Sequence, residues 1–401
     1  MKLRHGLLLA FALGVPMLAA SCGGGGKDEI LIGEYGSLTG GDATFGGSTK
    51  LGVEVAMAEL TSEKQGKIGG LPVRVLVEDD QSQAAEAATA VQKLVNQNQV
   101  VSVIGEVASS RSLAGGPICQ AAGVPMITPS STNPRVTQVG DYIFRMCFLD
   151  DFQGHSVAQF ATQKLGLKKI AILKDLKSDY SAGLTEYFGN ALKEMGGTVV
   201  AEQAYSAGDQ DFSAQLTSIK AKKPDAIYIP GYYTEAGLIA RKARELGITQ
   251  PLLGSDGWES QKLLEIGGDA LNGSYYTNHW ALDLPDPRLQ AFLKTFHDLN
   301  KGADPDAIAG LAYDAAKVLF TCLEKIAADD PATFKGFGSS KAGTPARKAA
   351  EQKLRDLIAA TKDYPGVTGV ITLDANRNAS KPLVVLEIKG GKKVFNTSIN
   401  P

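Results

Sequence analysis

Cysteine, histidine, aromatic residues and net charge are all scarce in this chain of 401 residues. It contains 4 Cys, 4 His and 7% aromatic residues, and its 41 Lys and Arg against 43 Asp and Glu give a formal charge of -2. Four Cys are too few for a disulfide scaffold, and four His leave little for a His-rich metal site. The lack of a basic excess argues against a nucleic-acid binder, which needs a basic face.

Long apolar runs are also missing beyond the N-terminus. No later stretch reaches about 18 unbroken apolar residues, so we expect no membrane-spanning segment there. With 44% hydrophobic residues, the chain is not disordered. A single core rarely grows past about 250–300 residues, so the length predicts two domains.

The N-terminus has the pattern of an export signal. Lys2 and Arg4 form a short basic start, and the apolar run over residues 6–20 is too short to span a membrane. Export implies an extracytoplasmic location, where disulfides are possible. Cys119, Cys147 and Cys322 allow at most one disulfide, and we favour three buried free thiols.

The signal ends in small residues before Cys22, and four glycines follow. This resembles the lipobox of bacterial lipoproteins, in which the Cys is acylated, although Leu18 stands one place earlier than the usual Leu. We therefore predict a signal peptide over residues 1–21 and a lipid-anchored flexible tether over residues 22–28. Plain secretion is the alternative.

Strand-like and helix-like segments alternate along the rest of the chain. Apolar residues in the helical segments recur every three or four positions, and the strand-like segments are short and apolar. Repeated βαβ units predict parallel sheets covered by helices, in two similar α/β halves. The clearest predicted strands are 29–35, 73–77, 100–104, 124–128, 169–173, 226–229, 252–254 and 383–388, the last of these followed by a hairpin through Gly390 and Gly391.

Polar residues follow the predicted strands at their carboxyl ends, where open α/β sheets bind ligands. Ser109 and Ser110 begin a predicted helix whose free N–H groups suit a carboxylate. Ser130 and Thr132 supply hydroxyl groups, and Asp256 can accept from an ammonium group. Together they suit a zwitterion, but each has an alternative: the serines as helix caps, the others as turn residues.

The order of these motifs resembles the leucine/isoleucine/valine-binding proteins, which are type I periplasmic solute-binding proteins of ABC importers. The resemblance runs from about residue 29 to 389. It rests on the segments 36–40 (GSLTG), 103–110, 123–134 (GVPMITPSSTNP), 211–213 (DFS), 230–233 (PGYY) and 254–257 (GSDG).

The resemblance implies two Rossmann-like lobes joined by three crossovers, with the ligand in the cleft and closure like a hinge. It implies a first lobe of residues 29–148 and 280–365 and a second lobe of residues 149–279 and 366–401. It further implies an amino acid as ligand, no cofactor, an ABC permease as membrane partner, and a monomer that meets the membrane only through its lipid anchor.

The resemblance also assigns roles to single residues. The ligand's carboxylate and ammonium groups would be held by Ser109, Ser130, Thr132, Asp256 and Tyr232. The pocket for the ligand's side chain would be formed by Phe45, Val107, Ala108, Tyr180 and Trp258, the last on proximity to Asp256.

Two residues depart from the family pattern. Asp256 is one methylene shorter than the Glu that often stands there. Arg111 replaces a small hydroxyl residue, and we expect it to be solvated; the alternative is that it favours a ligand with an anionic side chain.

Other functions remain open. No Gly-x-Ser-x-Gly, His-Glu-x-x-His, P-loop or dinucleotide-binding pattern is present, so an enzyme would be a cofactor-free hydrolase. We expect His155, His279 and His297 to be structural or exposed. The same fold could also bind amides, urea or aromatic acids, or act as a sensor.

Overall fold

The computed structural model describes residues 28–280, 282 and 286–401. The predicted signal peptide, Cys22 and the tether up to residue 27 lie outside the described residues. No helix within the described ranges is long and apolar enough to cross a membrane.

The first part of the chain, residues 30–145, forms a six-stranded sheet in the order β2-β3-β1-β4-β5-β6. All its pairings are parallel except that of β2 with β3. Its elements are β1 (Ile30–Gly36), α1 (Ala43–Lys64), β2 (Lys67–Ile68), β3 (Leu71–Asp79), α2 (Ala84–Gln92), β4 (Ser102–Ile104), α3 (Ser109–Ala122), β5 (Met126–Thr128), α4 (Arg135–Gln138) and β6 (Ile143–Arg145).

The next part of the chain contributes most of a seven-stranded sheet. Short π-helical turns extend α2 and α5, and 3₁₀ turns follow β10 and α9. Its elements are α5 (Asp150–Gln159), β7 (Lys169–Asp175), α6 (Asp179–Glu194), β8 (Thr198–Tyr205), α7 (Ser213–Ala221), β9 (Ala226–Ile229), α8 (Tyr233–Glu245), β10 (Leu252–Gly254), α9 (Gln261–Gly267) and β11 (Ser274–Asn278).

The C-terminal part returns to the first sheet before it completes the second. Its elements are α10 (Pro287–Leu299), α11 (Ala307–Asp329), α12 (Pro331–Ser339), α13 (Pro345–Ala359), β12 (Tyr364–Gly366), β13 (Gly369–Ile371), β14 (Leu383–Lys389) and β15 (Lys392–Ile399). The second sheet has the order β15-β14-β11-β10-β9-β7-β8, with β14 and β15 antiparallel at its edge.

Five hydrophobic clusters form the core among the described residues, and the two largest lie at different sheets. One cluster joins β1 and α1 to α10, α11 and α13, for example through Ile30, Val53, Phe292 and Leu319. Another joins β7, β9 and β10 to α7 and α8. We call these two units the first and the second lobe. The chain passes between the sheets after β6, after β11 and after β13.

The predicted α/β alternation is confirmed, as is the hairpin through Gly390 and Gly391. Cys119, Cys147 and Cys322 are buried and free, as favoured above. The sequence analysis missed the short helices α4, α9 and α12 and the short strands β2 and β12. The lobe boundaries stay a prediction; the small sheet of β12 and β13 spans the predicted boundary at residues 365–366, and Ile371 packs in the core of the first lobe.

Candidate functional site

A small cavity lies between the lobes at the carboxyl ends of their parallel strands. Phe45 and Ile308 reach it from the first turns of α1 and α11, and Tyr180 from the first turn of α6. The other lining residues belong to loops that follow strands. The cavity is lined by Phe45, Val107, Ser130, Thr132, Tyr180, Tyr232, Asp256, Gly257 and Ile308.

The structure brings most of the predicted site residues together at this cavity. Phe45, Val107, Ser130, Thr132, Tyr180, Tyr232 and Asp256 all line it. Gly257 and Ile308 were not predicted. At Gly257 a side chain is sterically excluded, because a Cβ would lie 2.8 Å from the carbonyl oxygen of Gly231 and 3.0 Å from the Tyr180 hydroxyl.

Three predicted pocket residues lie elsewhere. The Ser109 hydroxyl accepts a hydrogen bond from the Asn133 N–H at 3.2 Å, behind the cavity wall. Ala108 is the N-cap of α3 and lines a separate groove outside the cavity. Ser109 and Ala108 are therefore next to the cavity, and not in its lining.

Trp258 is the third, and its predicted place in the pocket wall is wrong. Its ring is fully buried in the second lobe, and its Nε1–H donates to the Ile229 carbonyl at 3.1 Å. Asp256–Trp258 form a 3₁₀ turn. With about three residues per turn, side chains two positions apart point in different directions, so Trp258 turns away from the cavity that Asp256 faces.

Asp256 is held by a network of side chains. Its Oδ1 accepts from the Tyr180 hydroxyl at 2.7 Å and from Gln153 Nε2 at 2.8 Å. Its Oδ2 lies 3.0 Å from His279 Nε2. The carboxylate is thus fixed in orientation and keeps room on Oδ2 for a further donor, since a carboxylate oxygen has two acceptor positions.

Asp150 is a second acidic residue at this site, and the sequence analysis missed it. It is the first residue of α5, is 0% exposed, and neither carboxylate oxygen has a hydrogen-bond partner among the described residues. Its N–H donates to the Thr132 carbonyl at 3.0 Å. Burial raises the pKa of the Asp150 carboxyl well above its usual range, and the Asp256 charge raises it further.

No sequence signal distinguishes Asp150 from its neighbour Asp151, because both look like ordinary acidic residues in the first turn of a helix. The structure separates them: Asp151 is exposed. A buried carboxylate without a partner is costly unless a cation or a set of donors meets it. Asp150 and Asp256 therefore form an acidic end of the site that is suited to a cationic group.

Hydroxyl groups lie next to these two acidic residues. Ser130 Oγ lies 3.2 Å from His279 Nε2, and the buried Thr132 Oγ1 has no hydrogen-bond partner among the described residues. Phe45, Val107 and Ile308 give the cavity an apolar wall. Hydroxyl donors, carboxylate acceptors and an apolar wall within one cavity are the groups that a zwitterion with an apolar side chain requires.

Arg111 is buried, so the expectation that it is solvated is wrong. It is 5% exposed, and its Nη1 donates to Asp42 Oδ2 at 2.9 Å. Its Nε lies 3.1 Å from Glu106 Oε1. Burial raises the pKa of Glu106 to about 8, against the lowering effect of the Arg111 charge. The guanidinium is already paired with these acidic neighbours, which argues against the alternative of an anionic side chain on the ligand.

Tyr232 separates the cavity from a larger groove at the mouth of the cleft, since it lines both. Its ring stacks on Tyr180 with centroids 5.2 Å apart and meets Phe45 edge-on at 5.4 Å. The Arg111 guanidinium lies 6.0 Å from its centroid, on the groove side. Tyr232 therefore closes the apolar end of the cavity.

Two lines of hydrogen bonds join the lobes beside the cavity. At one, the Thr44 N–H donates to the Tyr233 hydroxyl at 3.2 Å, and Thr234 Oγ1 donates to the Gly41 carbonyl at 2.8 Å. At the other, the Asp179 N–H donates to Ser110 Oγ at 2.8 Å. The structure is thus a closed form of the cleft.

No group of three or more His, Cys, Asp or Glu residues within the described ranges is arranged to hold a metal ion. The polar side chains that line the cavity are four hydroxyls and the carboxylate of Asp256. The arrangement is that of a binding site for a small polar molecule.

Comparisons with known proteins agree with this geometry. The family model described as "Periplasmic binding protein" matches residues 29–393. The Leu/Ile/Val-binding protein BraC3 of Rhizobium johnstonii is 33% identical over 299 residues, which cover 74% of this chain and 79% of that protein.

Solved structures give the same result. The leucine-binding protein LivK of Thermotoga maritima has a TM-score of 0.83 at 36% identity, covering 93% of this chain and 99% of that one. The substrate-binding protein LivJ of Streptococcus pneumoniae, solved with isoleucine, has a TM-score of 0.81 at 30% identity, covering 93% and 100%. The fold predicted above, two Rossmann-like lobes of the type I kind, is confirmed, and the chain belongs to the periplasmic binding protein family.

Proposed function

We propose that this protein is the extracytoplasmic substrate-binding component of an ABC importer and that it binds a branched-chain L-amino acid. The observation that carries the proposal is Asp256 in the lining of a cavity with an apolar wall, together with the buried Asp150, which is bonded to the Thr132 carbonyl of that lining. An ammonium group is the ligand group that best satisfies two buried carboxylates. The relatives named for leucine, isoleucine and valine support the choice of side chain.

The ammonium group, the carboxylate and the side chain of the ligand each have their own partners in the proposal. The ammonium group lies between Asp150 and Asp256. The carboxylate lies against Ser130 and Thr132, near the N-terminus of α3, where helix N–H groups favour an anion. Each charge-assisted hydrogen bond contributes about 1.5–3 kcal/mol. The aliphatic side chain packs on Phe45, Val107, Ile308 and Tyr232.

Binding closes the two lobes on the ligand, and the closed form then delivers it to the permease. We propose that the protein does this as a monomer tethered to the membrane through an acylated Cys22, without a cofactor and without catalysis of its own. The family of binding proteins to which the chain belongs supports the role in transport. Acylation of Cys22 rests on the sequence pattern alone.

Calorimetry of the mature protein against L-leucine, L-isoleucine, L-valine, urea and benzoate tests the ligand. We expect heat with the three amino acids and none with benzoate, which lacks an ammonium group. Asp150→Asn should lower the affinity for leucine at least about 10-fold, because it removes one charge-assisted contact. Asp151→Asn, one residue along and exposed, is the matched control and should bind as the unaltered protein does.

Two results would contradict the proposal. Binding of urea or benzoate without binding of any amino acid would reject the ligand class but not the family. Equal loss of affinity in Asp150→Asn and Asp151→Asn would show that the acidic pair does not meet the ammonium group.

A further inference from the structure

His279 lies behind the cavity, at the point where the chain leaves the second sheet for the first lobe. It directly follows β11, its side chain is 1% exposed, and its ring stacks on Phe148 with centroids 4.1 Å apart. It is not among the residues that line the cavity. The sequence analysis expected it to be structural or exposed, and the structure gives it contacts with the site.

One ring nitrogen of His279 meets a site residue from each lobe. Nε2 lies 3.0 Å from Asp256 Oδ2 in the second lobe and 3.2 Å from Ser130 Oγ in the first. Nδ1 is buried and has no hydrogen-bond partner among the described residues. Whatever hydrogen bond His279 makes at the site is therefore made through Nε2.

The neighbours of Asp256 decide where the hydrogen is. The Asp256 N–H donates to Gln153 Oε1 at 3.3 Å, which turns the Gln153 amide nitrogen toward Asp256 Oδ1. The Tyr180 hydroxyl donates to the same oxygen. Oδ1 of Asp256 thus accepts two hydrogen bonds, as a carboxylate oxygen can. Nε2 of His279 therefore carries the hydrogen, since an unprotonated ring nitrogen cannot donate a hydrogen bond to a carboxylate oxygen.

This assignment also orients Ser130. A protonated Nε2 has no lone pair, so it cannot accept from the Ser130 hydroxyl. The Nε2–H faces Ser130 Oγ as an acceptor, and the hydroxyl hydrogen of Ser130 is left to point elsewhere. Because Ser130 lines the cavity, that hydrogen is available to an acceptor inside it.

We propose that His279 is a positioning residue for ligand binding: its Nε2–H fixes Asp256 Oδ2 as an acceptor for the ligand's ammonium group and leaves the Ser130 hydroxyl as a donor to the ligand's carboxylate. The inference rests on the proposed function. One side chain on a crossover between the lobes thereby sets both the acceptor for the ligand's ammonium group and the donor for its carboxylate.

Two substitutions separate the hydrogen bond from packing. His279→Phe keeps a flat ring against Phe148 and removes the N–H, whereas His279→Gln keeps an N–H donor. We expect His279→Phe to weaken leucine binding about 10- to 100-fold, the effect of one charge-assisted hydrogen bond. His279→Gln should recover most of that affinity. His155→Phe, at an exposed position of α5, is the control and should bind leucine normally.

A double-mutant cycle tests whether His279 acts through Asp256. When Asp256→Asn is already present, His279→Phe should have a clearly smaller effect on leucine affinity, because coupled residues are not additive. Nitrogen-15 NMR of the unaltered protein with saturating leucine should show the hydrogen on Nε2 of His279. Packing of the ring against Phe148 does not depend on which nitrogen carries the hydrogen, so this measurement tests the hydrogen bond and not the packing.

Several outcomes would overturn the proposal. These are unchanged leucine affinity in His279→Phe, equal losses in His279→Phe and His279→Gln, additive effects with Asp256→Asn, or a hydrogen on Nδ1 alone. Absence of amino-acid binding by the unaltered protein would instead reject the proposed function itself, and with it the ligand-facing role of His279. Unfolding midpoints of all variants identify any that fail to fold.

Discussion

Glu34 is a buried carboxyl group in the middle of β1, away from the cavity. It is 2% exposed, and burial raises its pKa from 4.5 to about 8. The charge of Glu54 raises the pKa further, and Lys50 opposes both effects. The folded protein therefore holds a proton on Glu34 at pH values where the unfolded chain has released it.

The sign of the resulting pH dependence follows from proton counting. Between the unfolded pKa near 4.5 and the folded pKa near 8, the folded state binds more protons, so the free energy of unfolding falls as pH rises. One group contributes at most about 1.4 kcal/mol per pH unit. We expect Glu34→Gln, a neutral replacement of similar shape, to match the unaltered protein at pH 5 and to exceed its stability at pH 8.

Urea unfolding at pH 5, 6.5 and 8 measures this difference. Glu63→Gln, at an exposed position of α1, is the control and should keep the slope of the unaltered protein. If Glu34→Gln keeps that slope as well, Glu34 does not carry its proton into the folded state.

At the scale of elements, the first turns of α3 and α6 form one of the contacts between the lobes. Ser110 does not cap α3, whose N-cap is Ala108. Its hydroxyl instead accepts from the Asp179 N–H at the start of α6, at 2.8 Å, and Asn133 Nδ2 donates to the Asp179 carbonyl at 2.8 Å. These bonds join the lobes only while the cleft is closed.

Removal of one such bond should speed the release of ligand. Ser110→Ala should raise the leucine Kd about 3- to 10-fold, as expected for one neutral hydrogen bond of about 0.5–1.5 kcal/mol. The change should be in the dissociation rate, because the bond forms after the ligand has entered. Stopped-flow fluorescence measures both rates, with Thr217→Ala on the exposed side of α7 as control. A slower association rate with unchanged dissociation would contradict this account.

The alternation of elements was predictable because its signals are local. The predicted strands at residues 226–229 and 252–254 coincide with β9 and β10, whose apolar residues are buried on both faces. The helices α9 and α12 were missed because they are short, and α12 contains two glycines that weaken its helical pattern. The spacing of apolar residues did not predict that α2 and α5 continue as π-helical turns.

The site residues were likewise predictable only where the local sequence determines their position. Ser130, Thr132, Tyr232 and Asp256 follow strands of a parallel sheet, so their placement at one edge could be inferred. Asp150 and His279 could not be assigned, because their roles come from where the crossovers between the lobes place them. Trp258 and Arg111 were misjudged because the direction of a side chain after a strand depends on the local turn.

At the scale of the whole molecule, the crossovers also hold the ligand-binding loop. Arg145, at the end of β6, is 0% exposed and donates to Asn378 Oδ1 at 2.7 Å, in the third crossover. It donates as well to the carbonyls of Ser131 at 2.6 Å and Asn133 at 2.9 Å. Arg145 thereby joins the loop that carries Ser130 and Thr132 to the third crossover between the lobes.

Closure buries Asp150 and Asp256, and this makes closure dependent on the ligand. An open cleft exposes carboxylates to water, whereas in the closed structure neither oxygen of the Asp150 carboxylate has a hydrogen-bond partner among the described residues. The ligand's ammonium group offsets that penalty only in the closed form, and a ligand shifts a conformational equilibrium only through such a difference in affinity. We therefore expect leucine to shift the protein in solution toward the closed form and to stabilise it against unfolding.

Small-angle X-ray scattering and thermal unfolding measure the two effects. The radius of gyration should fall on addition of leucine, and leucine at 100 times its Kd should add about 2.7 kcal/mol to the free energy of unfolding. Asp150→Asn should be closed more often without leucine, since its neutral amide is less costly to bury than a carboxylate, and its radius should change less. A radius that falls equally in Asp150→Asn and in the unaltered protein would show that the buried acid does not hold the cleft open.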